Sequence, residues 1–244
     1  MSIFDYKTKV VLKSLEITHK PVKFIPNKSW IVTGADDMFI QVYDSNSLEK
    51  IKEFEAHEDY IRTLAVHPTL PYVLSGSDDL RIKLWDWEKD SSCSQTFEDH
   101  THYVMQVVFN PENPTSFASA SLDGSVKVRN LKTPNSVVTL EGHSKGVNYV
   151  GYFINNNTVY LLSGSDDFNA KVWDFKSATC IATLEGHTNN VVAVTPVPED
   201  GIIITGSEDG TICFWDINTY KLLEKTLNHG LGRVWVLKFL KGSS

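Results

Sequence analysis

The sequence predicts an all-β fold assembled from one repeated four-stranded unit. Three observations lead there. Five stretches are near copies of one another: "VTGADDMFIQVYD", "LSGSDDLRIKLWD", "ASASLDGSVKVRN", "LSGSDDFNAKVWD" and "ITGSEDGTICFWD". Their turn aspartates, Asp37, Asp79, Asp123, Asp167 and Asp209, recur at steps of 42, 44, 44 and 42 residues, while a separate marker, His57, His100, His143, His187 and His229, steps by 43, 43, 44 and 42. Within the unit, runs such as "IRTLAVH", "YVLSGS" and "RIKLWDW" are short and rich in β-branched and aromatic residues. Pro, Asp-Asp and Lys-Asp turns bound them, the pattern of strands joined by tight turns.

A period of about 40 to 45 residues holding four strands, with GH near its start and WD near its end, is the signature of the WD-repeat β-propeller. "LEGH" at 140–143 and 184–187, together with "LWD" and "VWD", gives the whole chain its resemblance to that family. A single domain over residues 1–244 is expected, and a chain of this length can form one when the fold is all-β. Residues 2 to 16 read as the last strands of a preceding blade, and "GRVWVLKFLKGSS" reads as the first strand of a following one. Five full repeats plus two partial blades amount to about six blades' worth of a seven-bladed design, so the ring is expected to be incomplete. Strand edges exposed at the gap predict weak stability or self-association.

The copies differ in order along the chain. The first is contracted, with 15 residues from His19 to Gly34 against 19 from His57 to Gly76, so a strand or its turn has lost material. The second, fourth and fifth carry Trp85, Trp173 and Trp215, whereas the third carries Arg129 and is expected to lack the indole donor and its packing. In the WD-repeat family a His, the turn Asp, a hydroxyl and the strand Trp form one hydrogen-bonded cluster per blade. The resemblance implies clusters of His57, Ser75, Asp79 and Trp85; His100, Ser119 and Asp123; His143, Ser163, Asp167 and Trp173; and His187, Thr205, Asp209 and Trp215, with Thr33 as the hydroxyl of the first copy. The His-to-Asp spacings are 22, 23, 24 and 22. Buried imidazole, carboxylate and hydroxyl groups must satisfy one another, or their desolvation goes uncompensated.

Ser, His and Asp are also the residues of a hydrolase triad. Here they recur once per blade, whereas an active site is built once, and the chain has no GxSxG elbow, P-loop or HExxH. A non-enzyme is expected. The composition, 41% hydrophobic and 22% charged, fits a folded globular chain, and the net charge of −7 argues against a nucleic-acid or anionic-lipid surface. Cys93, Cys180 and Cys213 are far apart and show no CxxC spacing, which suggests a reducing compartment and neither a disulfide framework nor a metal site; no cofactor is expected. No stretch reaches the roughly 18 apolar residues that cross a bilayer, so direct membrane insertion is not expected.

Residues of equal phase in successive blades face the same way around the central channel. The residue before each turn aspartate therefore forms a ring: Asp36, Asp78, Leu122, Asp166 and Glu208. Four of the five are acidic, and Asp78 is expected to stand open at the channel mouth while Asp79 serves the fold. An alternative is that this turn position simply favours polar residues. Exposed ion pairs contribute only about 0.2–1 kcal/mol each, so affinity would require several carboxylates acting on a multiply charged ligand.

The stretches "VTGADDM", "FEAHEDYIRTLAVHPTLPYVLSGSDDLRIKLWDWEKD", "HTHYVMQVVFNP", "FASASLDGSVKV", "LEGHSKGVNYV" and "TGSEDGT" resemble the N-terminal propellers of coatomer beta-prime subunits, part of the COPI vesicle coat. The alpha subunit shares "DYIRT" and "HYVM" but is less similar in "LEGHSKGVN" and "TGSEDGT". The resemblance implies a cytoplasmic protein, peripheral on Golgi and COPI vesicle membranes, whose partners are other coatomer subunits and the dilysine cytosolic tails of membrane cargo. It implies lysine-receiving carboxylates at Asp59, Asp78 and Asp166, with Tyr103 and Asn148, comparably placed in the next two blades, lining the pocket. The family's clamp for the peptide's terminal carboxylate falls where this chain is contracted: "HKPVKF" lacks the family's Arg, and neither Lys20 nor Lys23 aligns with it. A surviving lysine pocket and an impaired carboxylate pocket are expected. Two other classes are a scaffold in a different complex, with no preference for dilysine tails, and an enzyme with a unique, non-repeating polar cluster.

Overall fold

The computed structural model describes residues 2–4, 11–14, 21–25, 28–89, 91–133, 135–227 and 232–237. These form five four-stranded antiparallel sheets and one two-stranded sheet, with no sheet closed on itself, which fits an incomplete propeller. The two-stranded sheet pairs Ser2–Phe4 with Val11–Ser14. The five blades occupy residues 22–55, 61–97, 104–140, 147–184 and 191–227, each a meander whose strands pair in chain order. His19, Lys20 and His229 lie outside the described residues.

The first strand of each blade faces the axis. These inner strands touch one another from blade to blade and surround a channel of about 420 Å³ lined by Arg62, Met105, Asn148 and Val192. The contraction of the first copy falls on this element. Its inner strand, Val22–Ile25, has four residues, where the next four have six, six, nine and seven.

Hydrophobic burial lies between neighbouring blades. Ile25, Val32, Ile40 and Val42 of the first blade pack on Ile61, Leu64, Val73 and Trp85 of the second, and Phe153, Leu162 and Val172 of the fourth on Val191, Val194 and Trp215 of the fifth. The second strand of a blade is thus covered on both faces, which explains small-residue runs such as Ser116–Ser121, buried at every position. Glycine there lets the next inner strand lie against bare backbone. A Cβ on Gly76 would come 2.7 Å from a Val104 methyl, and one on Gly164 2.9 Å from a Val191 methyl.

The run 232–237 uses the same contact. Val234 is buried, and a Cβ on Gly206 would come 2.6 Å from it. The Val234 N–H donates to the Ser207 carbonyl and the Thr195 hydroxyl to the Leu237 carbonyl, at 3.0 and 3.2 Å. This run therefore sits where a following blade's inner strand belongs, although among the described residues it joins no sheet.

In the third blade the guanidinium of Arg129 takes over the donor function that the sequence reading expected to be lost. Arg129 is fully buried and donates to the Ser119 hydroxyl, as the indoles of Trp85, Trp173 and Trp215 donate to Ser75, Ser163 and Thr205 at 2.8, 2.8 and 2.9 Å. Its charge is answered by Asp99, which accepts from Arg129 Nε at 3.0 Å and also from Nη2. Asp99 precedes His100, where the fourth and fifth copies carry Gly142 and Gly186 directly against the Trp173 and Trp215 rings.

Candidate binding face

The turn aspartates of the second to fifth blades each close a loop-to-turn clasp on one face of the propeller. His57 Nδ1 donates to Asp79 Oδ2 at 2.8 Å, the Ser75 hydroxyl lies 2.6 Å from His57 Nε2, and the Trp85 indole donates to that hydroxyl. The same geometry holds for His100, Asp123 and Ser119, and for His143, Asp167, Ser163 and Trp173. In the fifth blade His187 Nδ1 is shared between Asp209 at 3.2 Å and the Thr211 hydroxyl at 3.0 Å, with Thr205 on Nε2. In the first blade the Thr33 hydroxyl turns to the Gln41 carbonyl at 3.4 Å, and Tyr43, standing in place of the Trp, donates to the Gln41 side chain.

Burial drives all four described cluster histidines below their ordinary value, against the pull of their aspartates. They are neutral. Burial also works against the Asp79 charge, yet hydrogen bonds from His57 and from the Glu58 and Arg81 backbone amides outweigh it, leaving the carboxyl at about 2. An imidazole–carboxylate pair held this way, described in four of the blades, is consumed by the fold.

The clasps bring the histidine loops and aspartate turns together. The amides of Asp78, Leu122, Asp166 and Glu208 donate to the carbonyls of Tyr60, Tyr103, Gly146 and Asn190, at 2.9–3.0 Å. The acidic ring therefore lies beside the loops that carry Asp59 and Tyr103. Its members are not equivalent. Asp36 is exposed, Asp166 is half-buried and accepts from Asn148 Nδ2 at 2.7 Å, and Glu208 lies 3.7 Å from Arg233.

Asp78 departs from the expectation of an open carboxylate. Arg62 donates through Nε to Oδ1 at 2.7 Å and through Nη2 to Oδ2, leaving the Asp78 side chain 4% exposed. The guanidinium is held above its ordinary value first by those hydrogen bonds, against its own partial burial, and then by the charges of Asp78, Asp36 and Asp59. Asp78 contacts this cation directly, and the charges of Asp36 and Asp59 also act on it. The ring of Tyr60 lies 5.5 Å from that guanidinium.

Tyr103 and Asn148 do not share a phase. Tyr103 follows its histidine at the step of Tyr60 and is exposed on the loop, its ring against His102 at 4.5 Å. Asn148 has the phase of Arg62 and lines the channel, where it orients Asp166. Two groupings result, Asp36–Asp59–Asp78 with Arg62, and Asn148 with Asp166. The sequence reading missed Arg62, although its position one residue after the buried Ile61 places it on the channel side of a strand. Lys23 also lines the channel.

Residues 15–44, 48–86, 91–130, 134–174 and 178–216 match the family described as WD domain, G-beta repeat. Over 99% of its length the chain is 52% identical to coatomer subunit beta' of Rattus norvegicus and 50% identical to coatomer subunit beta' of Drosophila melanogaster. A putative coatomer subunit beta'-3 of Oryza sativa subsp. japonica is 58% identical over 66% of the chain, covering 18% of that relative. The chain spans 27% of the length of the rat and fly relatives.

Proposed function

Since the chain belongs to the WD domain, G-beta repeat family, we propose that it is the single propeller domain, residues 1–244, of a COPI coat subunit whose acidic face receives dilysine tails of membrane cargo. As a repeat scaffold it is not an enzyme, and its Ser–His–Asp groups are the cement of the blades. The coat assignment rests on the coatomer beta' relatives, and the other coatomer subunits are its assembly partners. It would act from the cytoplasm, peripheral on Golgi and vesicle membranes; no helix among the described residues is long and apolar enough to cross a membrane.

The observation that carries the ligand reading is that backbone bonds from Ile61 to Ala35 and from Asp78 to Tyr60 set the turns and loop of Asp36, Asp59 and Asp78 side by side, with Asp78 on Arg62, while Asp166 sits on Asn148 in another blade. Two separated sites of negative charge suit a ligand bearing two ammonium groups. Single exposed pairs are too weak to hold it, so the affinity would come from both sites acting together. Lys23 lines the channel but lacks the planar fork of Arg, which supports an impaired grip on the tail's terminal carboxylate.

The test is titration at low salt with a tail peptide ending in Lys-Lys-X-X, beside the same peptide with both lysines replaced by Ser. The dilysine peptide is expected to bind at least tenfold tighter. Asp59→Asn and Asp166→Asn should each remove most of that preference, and amidating the peptide's C-terminus should change little. Equal binding of the two peptides would exclude the reading.

A further inference from the structure

We propose that Arg62 is a tethered competitor for the cationic ligand: its guanidinium occupies Asp78 in the free protein and must leave before an incoming ammonium can reach that carboxylate. This deepens the reading that the acidic face takes lysine, and rests on it. Both oxygens of Asp78 are engaged by the Arg62 fork, and the side chain is 4% exposed beneath it. A ligand approaching from solvent meets Arg62, not Asp78. The Arg62 side chain is itself 26% exposed and has somewhere to go. Asp36 and Asp59 already attract it, and the Tyr60 ring offers a face at 5.5 Å.

The exchange conserves charge. One ammonium replaces one guanidinium on Asp78, and the guanidinium is then shared by Asp59, Asp36 and the tyrosine ring. Since a bidentate guanidinium–carboxylate pair holds better than a point-charge ammonium, a single lysine exchanges at a loss. A second ammonium engaging Asp166 in the same ligand offsets that loss, because the second contact is then intramolecular. Arg62 would thereby make the face discriminate paired lysines from isolated ones. A ring of open carboxylates would do so less sharply.

The test compares wild type, Arg62→Met and Arg62→Lys against four tail peptides: dilysine, the two single-lysine variants, and double serine. Circular dichroism and thermal melting would accompany each titration to establish folding. Arg62→Met, which keeps the length and loses the charge, is expected to bind the dilysine peptide about tenfold tighter than wild type and to gain more for the single-lysine peptides. Arg62→Lys should fall between. A folded Arg62→Met that binds no tighter, while wild type still prefers dilysine, overturns the proposal and leaves the lysine reading standing. If neither protein prefers lysine over serine, both fall together. Should Arg62→Met not fold, the Arg62 Nε–H resonance of the wild type decides the matter: it should move on adding the dilysine peptide, and an unmoved signal at saturation overturns the proposal.

Discussion

Asp99 and Arg129 show how a single blade absorbs a change that its four siblings do not share. Where a Trp crosses a Gly in the fourth and fifth blades, the third places a guanidinium against a carboxylate and keeps the donor to Ser119. The two residues are therefore predicted to be coupled. Asp99→Gly leaves a fully buried guanidinium without its carboxylate and should cost about 3–5 kcal/mol. Restoring the sibling pair in Asp99→Gly/Arg129→Trp should recover most of that stability, measured by urea unfolding; additive losses would disprove the coupling. The histidines set a pH response at the same scale. Their folded values lie below the ordinary one, so the unfolded chain binds more protons, and stability falls as pH drops below about 6.5. Asp79 adds a further loss as pH falls from its ordinary range through about 2. Melting temperature should therefore decline between pH 7 and pH 5; a flat profile across that interval would contradict the burial of neutral imidazoles.

At the scale of the strand, the repeat works through where small residues stand. Gly34, Gly76, Gly164 and Gly206 hold the same phase in the second strands, and Ala120 takes that phase in the third blade. Each lies under the first buried residue of the following inner strand, as Gly76 lies under Val104. Gly76→Val would drive two methyl groups into Val104 and Thr63, and a loss of about 1–3 kcal/mol or more is expected from overpacking. Chemical denaturation would measure it; a variant as stable as wild type would show that the blades yield. The turns were equally readable in part. The Asp-Asp signal marks them, but the residue after the turn Asp takes a left-handed conformation even when it is Met38, Leu80 or Phe168, with φ of 71°, 71° and 72°. Side chains rarely adopt that backbone. The clasp of Asp79 and its sibling aspartates on the following amides imposes it.

For the whole molecule, the blades stack through shared cores, so a blade's stability depends on having a neighbour. The run 232–237 leaves Trp235 and Val236 exposed at 61% and 78%, beside the fifth blade. Exposed apolar groups on backbone that, among the described residues, joins no sheet invite pairing with another chain. Concentration-dependent self-association is expected by light scattering, reduced in Trp235→Glu/Val236→Lys; a monodisperse wild type at high concentration would exclude it. The net charge of −7 acts at this scale too, and added salt should weaken dilysine binding.

The sequence by itself determined the repeat, the strands, the turn aspartates and the acidic ring, because each follows from residue types recurring at one spacing. Only the tertiary structure decided which ring carboxylates stand open. Asp78, in a turn, is 16 residues from Arg62 on an inner strand, and Asp99 and Arg129 are 30 apart, so neither pair leaves a local signal. A charge looks available in one dimension until the neighbour that neutralises it is placed in three. Tyr103 and Asn148 likewise differ only in three dimensions: Tyr103 stands in the loop just before its inner strand, whereas Asn148 is the second residue of the next one and lines the channel.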